Sequence, residues 1–162
     1  MNIKEIREYV KNKHEGQRRK QGTPYYLHPY AVAEMLKDKG FDEDYQVTGL
    51  LHDTLEDTNA TKEEILKLTN EKVLEAVVLV TKEHGYNMQE YYDRIMKNDM
   101  ARMVKLADRW HNLSESAMTN YLFKQKYIKE TEKWYFKMAE GTCFEEEIKE
   151  ELIKLKDSIK II

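Results

Sequence analysis

Apolar residues in this chain recur at three- and four-residue steps, and no stretch is dominated by the strict alternation that builds a half-buried strand. Phe144, Ile148, Leu152, Leu155 and Ile159 lie on one helical stripe. Ile3, Ile6 and Val10 do the same near the start, and Met100, Met103, Val104 and Ala107 further on. Tyr91, Tyr92, Ile95 and Met96 give another periodic segment. Composition agrees: 6 Gly and 2 Pro among 162 residues, with 35% charged and 41% hydrophobic side chains, favour helices over a sandwich or barrel.

Punctuation sets the boundaries. "PYAVAEMLKDKG" reads as a helix with Pro29 in its first turn and Gly40 at its end. A second runs continuously through Val47, Leu50, Leu51 and Leu55. Thr61 and Glu64 have capping-box spacing, as do Thr142 and Glu145. "EKVLEAVVLVTKEHG" predicts a buried helix reaching Gly85, and an aromatic-rich helix spans about 120–139 before Gly141. "HEGQRRKQGTPYYLHPY" is the one clearly irregular segment. No repeat, linker or composition break divides the chain, so the expectation is a single all-α domain over 1–162, with about eight helices.

A net charge of −3 gives no sign of a general nucleic-acid binder. The single Cys143 cannot form an internal disulfide, which points to a reducing, cytoplasmic setting. No apolar run is long enough to span a membrane, and "MNIKEIREYV" lacks a signal peptide's apolar core. The pattern leaves oligomeric state open.

"LLHDTLEDT" places His52, Asp53, Glu56 and Asp57 on a segment that should pack a core. On a continuous helix His52 and Glu56 form one pair a turn apart, and Asp53 and Asp57 another. Burying lone carboxylates costs several kcal/mol, so such a cluster faces a cleft or holds a cation. Imidazole with carboxylate suits Mn²⁺, Fe²⁺ or Zn²⁺, and the lack of thiolates argues against structural zinc. A His–Asp dipeptide alone is common and carries little. His28, before Pro29, and Asp108, one turn from Asn112, add a second imidazole and a second carboxylate, making a plausible ligand set with open positions.

"HEGQRRKQGTPYYLHPYAVA", "GLLHDTLEDT", "LVTK" and "MVKLADRWHNL", in that order, resemble the hydrolase domain of RelA/SpoT proteins, a branch of the HD metal-dependent phosphohydrolases. The likeness covers most of residues 1–115, and the chain is similar to the stand-alone small alarmone hydrolases, the metazoan SpoT homologue among them. It implies an HD-type helical fold and Mn²⁺-dependent removal of the 3′-pyrophosphate from guanosine tetraphosphate or pentaphosphate. His28, His52, Asp53 and Asp108 would be the metal ligands, with Glu56 and Asp57 the catalytic acidic pair. Arg19 and Lys20 would meet the substrate's phosphates and Asn112 the nucleotide, and Arg18 can share that work. "RRK" can also be read as a solvated charge cluster.

His14 matches a family position but reads as structural, His84 as a surface residue, and the Trp134–Phe136 cluster as packing. The family usually continues after "HNL" with an Arg and then a Thr or Asp near the base, where this chain has Ser114 and Glu115. That departure keeps two alternatives open. One is a phosphohydrolase of another nucleotide, such as a dinucleotide 2′- or 3′-phosphate or a deoxynucleotide. The other is a non-catalytic nucleotide-binding regulator, which loss of a ligand or of the acidic pair would favour.

Overall fold

The structure, a computed structural model, describes residues 1–160, and its regular elements are all helical. Those residues fall into two compact units, Met1–Lys105 and the residues from Leu106 on. No described helix is long and apolar enough to cross a membrane.

The first unit holds α1 (Ile3–Lys13), α2 (Leu27–Asp38), α3 (Glu43–Leu51), a single turn α4 (Thr54–Asp57), α5 (Lys62–Leu68), α6 (Glu71–Val80) and α7 (Met88–Met96). It also holds the start of α8 (Asp99–Glu115). α3 is its centre, packed against α1, α2 and α6. Ile6, Val10, Val32, Leu36, Val47, Leu50, Leu51, Val73 and Val77 are all fully buried there. Gly49 permits the close approach of α3 to α2, since a Cβ at this position would lie 2.9 Å from Leu36 Cδ1 and 3.3 Å from Val32 Cγ1.

The expected boundaries hold where a cap can form. α2 ends as the glycine predicts: Gly40 takes φ +88°, its N–H donates to Lys37 O, and Phe41 N–H donates to Leu36 O. At the head of α5, Thr61 Oγ1 accepts from Glu64 N–H while Glu64 Oε1 accepts from Thr61 N–H. Two expectations fail. α6 stops at Val80, five residues before Gly85, because the backbone turns extended at Thr81. There Arg94 donates to the carbonyls of Leu79 and Thr81 at the helix end. The second capping box is also absent, since Thr142 Oγ1 accepts from Phe144 N–H and the Glu145 carboxylate reaches back to Gly141 N–H instead.

The second unit continues α8 into a short 3₁₀ turn (Ser116–Met118), then α9 (Tyr121–Glu130), a π turn (Thr131–Tyr135), α10 (Phe136–Ala139) and α11 (Glu145–Lys160). α11 packs on α9 and α10, with Phe144, Ile148, Leu152 and Leu155 buried and Ile159 half-buried, so the predicted stripe closes this unit's own core. The π turn interrupts what the sequence suggests is a plain helix. In an ideal α-helix residues eight apart point about 80° away from each other, and one extra residue in a turn brings them back to about 20°. Tyr127 and Tyr135 therefore share a face, and both rings lie 3.9 Å from the buried Arg109 guanidinium. Counting 121–139 as one helix and setting the single turn α4 aside leaves nine helices of seven residues or more among the described residues.

Candidate functional site

Residues 14–28 join α1 to α2 through a tight hairpin. Arg18 bridges Pro24, Arg19 N–H donates to Thr23 O, Gly22 N–H to Arg19 O, and Tyr25 N–H to Gln17 O. Gly22, at φ +93°, makes the reversal possible. Arg19 and Lys20 sit at the tip, half-buried and exposed respectively. The Arg18 guanidinium donates back to Gly22 O and so closes the hairpin. His28 and Pro29 follow in the first turn of α2, where proline's missing N–H costs no helical bond.

The continuous helix expected through the acidic motif breaks: α3 ends at Leu51, His52 and Asp53 form a turn, and α4 begins at Thr54. The break turns His52 back on its own helix, so its Nδ1–H donates to Gly49 O at 2.6 Å. A carbonyl only accepts, so this bond sets the tautomer and leaves the Nε2 lone pair outward, the form a metal ligand needs. His28 and His52 are 1% and 3% exposed, their rings 5.2 Å apart and edge-on. Asp53 Oδ2 lies 3.1 Å from His52 Nε2 and 3.8 Å from His28 Nε2. Two ligands at right angles, each about 2.1 Å from one ion, would lie about 3.0 Å apart. The first unit thus collects two imidazole nitrogens and a carboxylate oxygen at ligand-like separations, in a donor set suited to a divalent ion.

Glu56 and Asp57 are exposed on α4. Glu56 Oε1 accepts from Lys82 N–H at 2.6 Å, tying the end of "LVTK" to this turn. Asp57 O accepts from Gln17 Nε2 at 2.8 Å, and Gln17 Oε1 accepts from His14 Nδ1–H at 2.8 Å. His14 is 1% exposed, and burial holds its pKa below the usual 6.5 against the raising influence of Gln17 and Asp53.

In the second unit Asp108 is 5% exposed on α8, and its Oδ1 accepts from Asn112 Nδ2 at 3.0 Å. One amide donor of Asn112 is thereby spent on orienting Asp108. Next to it, Arg109 is held by the two tyrosine rings and by Glu130 at 3.6 Å, which fixes this turn of α8. His111 pairs with Glu115 at 2.8 Å, and Ser114 Oγ donates to His111 O. The two residues that depart from the family pattern are thus engaged with their own helix. His84 is exposed, as expected.

Sequence reasoning missed Tyr25 and Gln17. Tyr25 donates its hydroxyl to Asp53 Oδ2 at 2.5 Å, while Gln17 bridges His14 to the Asp57 carbonyl. Both lie inside the irregular segment, where no periodicity reports which way a side chain turns.

A family model described as "HD domain" matches residues 7–141. The guanosine-3′,5′-bis(diphosphate) 3′-pyrophosphohydrolase of Aquifex aeolicus is 34% identical over 145 residues, 85% of this chain and 21% of that protein. The GTP pyrophosphokinase of Myxococcus xanthus is 38% identical over 125 residues, 68% of this chain and 16% of that protein. The chain therefore spans about a fifth or less of the length of these relatives. Among solved structures, a metazoan orthologue of SpoT, described as hydrolysing ppGpp with a role in starvation responses, matches with a TM-score of 0.79 at 27% identity over 94% of each chain.

Proposed function

The chain belongs to the HD-domain family, and from that premise we propose that it is a metal-dependent phosphohydrolase that removes the 3′-pyrophosphate from guanosine tetraphosphate or pentaphosphate. The observation that carries this is the pairing of His28 and His52 with Asp53 Oδ2, both imidazoles buried and the tautomer of one set by the Gly49 carbonyl. In this reading residues 1–162 act as one HD-type domain, which the run of the matched stretch through the boundary at Lys105–Leu106 supports. The location is cytoplasmic, in keeping with a small nucleotide substrate and a single cysteine.

His28, His52, Asp53 and Asp108 hold the ion, taken as Mn²⁺. Their mixed nitrogen and oxygen donors suit it, and a carboxylate as buried as Asp108 calls for a cation or hydrogen-bond donors. When bound, such an ion polarises a phosphoryl oxygen and lowers the pKa of a coordinated water. The protein's own groups do the rest. Arg19 and Lys20, on a hairpin closed by the Arg19–Thr23 and Gly22–Arg19 backbone bonds, neutralise the phosphates that would repel an attacking oxygen. Glu56 has one oxygen engaged with Lys82 N–H, so its Oε2 is the atom that can take up a proton, with Asp57 beside it. Asn112 holds Asp108 with one N–H, and its side-chain amide is the group assigned to the sugar or base.

A second reading, hydrolysis of another nucleotide, draws on Ser114 and Glu115. Both are engaged with His111 rather than presented to a base. The test is Mn²⁺-dependent turnover of guanosine tetraphosphate against adenosine 3′-pyrophosphates and a 2′-phosphorylated dinucleotide, with the Asp53→Ala variant alongside. We expect release of pyrophosphate from the guanosine compound, and loss of both bound Mn²⁺ and turnover in the variant. A tenfold preference for the dinucleotide would overturn the substrate. Full metal content in Asp53→Ala would remove Asp53 from the ligand set.

A further inference from the structure

The Tyr25 hydroxyl donates to Asp53 Oδ2, the same oxygen that lies 3.1 Å from His52 Nε2 and 3.8 Å from His28 Nε2. A carboxylate oxygen has two lone pairs, so one can accept the phenol while the other is offered to an ion. The phenol is fixed from several sides. Its backbone N–H is bonded to Gln17 O, its ring lies 4.9 Å from the buried His14 ring, and the His28 ring approaches edge-on at 5.9 Å. Asp53 sits in the turn between α3 and α4 with φ −101° and ψ −4°, its carbonyl accepting from Asp57 N–H. Pro24 fixes the approach of Tyr25, and the Arg18–Pro24 bridge ties it to the tip that carries Arg19 and Lys20.

We propose that Tyr25 is a positioning residue: its hydroxyl holds the Asp53 carboxylate in the orientation that brings Oδ2 beside the two imidazoles, and so joins the cationic hairpin to the metal-binding turn. This rests on the reading of Asp53 as a ligand. Residues that orient ligands in this way govern metal affinity as well as rate, and their loss typically costs about 10–100-fold in affinity. The aromatic body of Tyr25 is not what the proposal needs. Only the oxygen is.

The test is Tyr25→Phe in the full chain, titrated calorimetrically with Mn²⁺ alone, with Tyr26→Phe as a neighbouring control. The Tyr26 ring packs on Tyr30, and its loss of an oxygen should leave Mn²⁺ binding as it is. We expect Tyr25→Phe to keep its helical circular dichroism and to bind Mn²⁺ about 10–100-fold more weakly. Saturating Mn²⁺ should then recover most of its kcat. An affinity within twofold of the wild type would overturn the proposal. So would a Tyr25→Phe chain that no longer folds, because an orienting hydroxyl is not required for folding. Asp53→Ala separates the two readings. If it binds Mn²⁺ normally, the ligand assignment fails. If it loses Mn²⁺ while Tyr25→Phe does not, only the role of Tyr25 fails.

Discussion

Gly49→Ala puts fold and site to the test together. The new methyl would lie 2.9 Å from Leu36 Cδ1 and 3.3 Å from Val32 Cγ1. Carbon atoms in contact prefer about 3.5–4.0 Å, so the first approach is short by about 0.6 Å or more. Leu36 and Val32 are both fully buried, so neither side chain can swing into solvent. Overpacking a filled core costs about 1–3 kcal/mol. Against this, replacing glycine inside a helix returns about 1 kcal/mol. The net is a destabilisation of about 1 kcal/mol, or a fall in Tm of about 2–4 °C for a chain of this size. Because Gly49 O also anchors His52 Nδ1, spreading α3 from α2 should weaken Mn²⁺ binding as well. Urea unfolding followed by circular dichroism measures the first effect and calorimetric titration the second. A double variant with Leu36→Val, which shortens the clashing side chain, should lose less than the two single variants summed. A Gly49→Ala chain about 1 kcal/mol more stable than the wild type, or strict additivity with Leu36→Val, would refute the close-approach argument.

Glu56→Gln keeps an oxygen for Lys82 N–H while removing the charge, so bound Mn²⁺ and Tm should persist while kcat falls about 100-fold or more. Wild-type turnover would leave Asp57 as the group that handles the proton. His14 is held neutral by burial, so its folded-state pKa lies below its unfolded value. Below about pH 6.5 the unfolded chain binds this proton more readily than the folded one, and stability should decline as pH falls through that window. The difference in Tm between wild type and His14→Gln, followed from pH 8 down to about pH 5, should therefore shrink toward the acid end. A difference independent of pH would deny His14 that role.

What the sequence could show depended on whether a residue's partner lies along its own helix or elsewhere. The stripe of Phe144, Ile148, Leu152 and Leu155 was legible because one helix repeats every 3.6 residues whatever it packs against. The Thr61–Glu64 box was legible because both of its bonds close within four residues. The break at His52–Asp53 was not, because the residues there are acceptable in a helix. The break goes with the return of the His52 ring to Gly49 O, which spacing cannot distinguish from a solvent-facing histidine. The end of α6 at Val80 was hidden for the same reason, since its carbonyls are met by Arg94, fourteen residues on from Val80. The π turn hid too, because an extra residue in one turn leaves the apolar pattern of 121–139 intact and is registered only by Tyr127 and Tyr135 closing on Arg109. In the site, the candidate ligands were readable as residue types in family motifs, whereas the bonds that orient them were not: Tyr25 reaches Asp53 across 28 positions and Gln17 reaches Asp57 across 40. A ligand's identity is a local property of the chain and its orientation a tertiary one. The orienting residues are therefore where this structure adds most to the sequence, and Tyr25 is where that addition meets the chemistry.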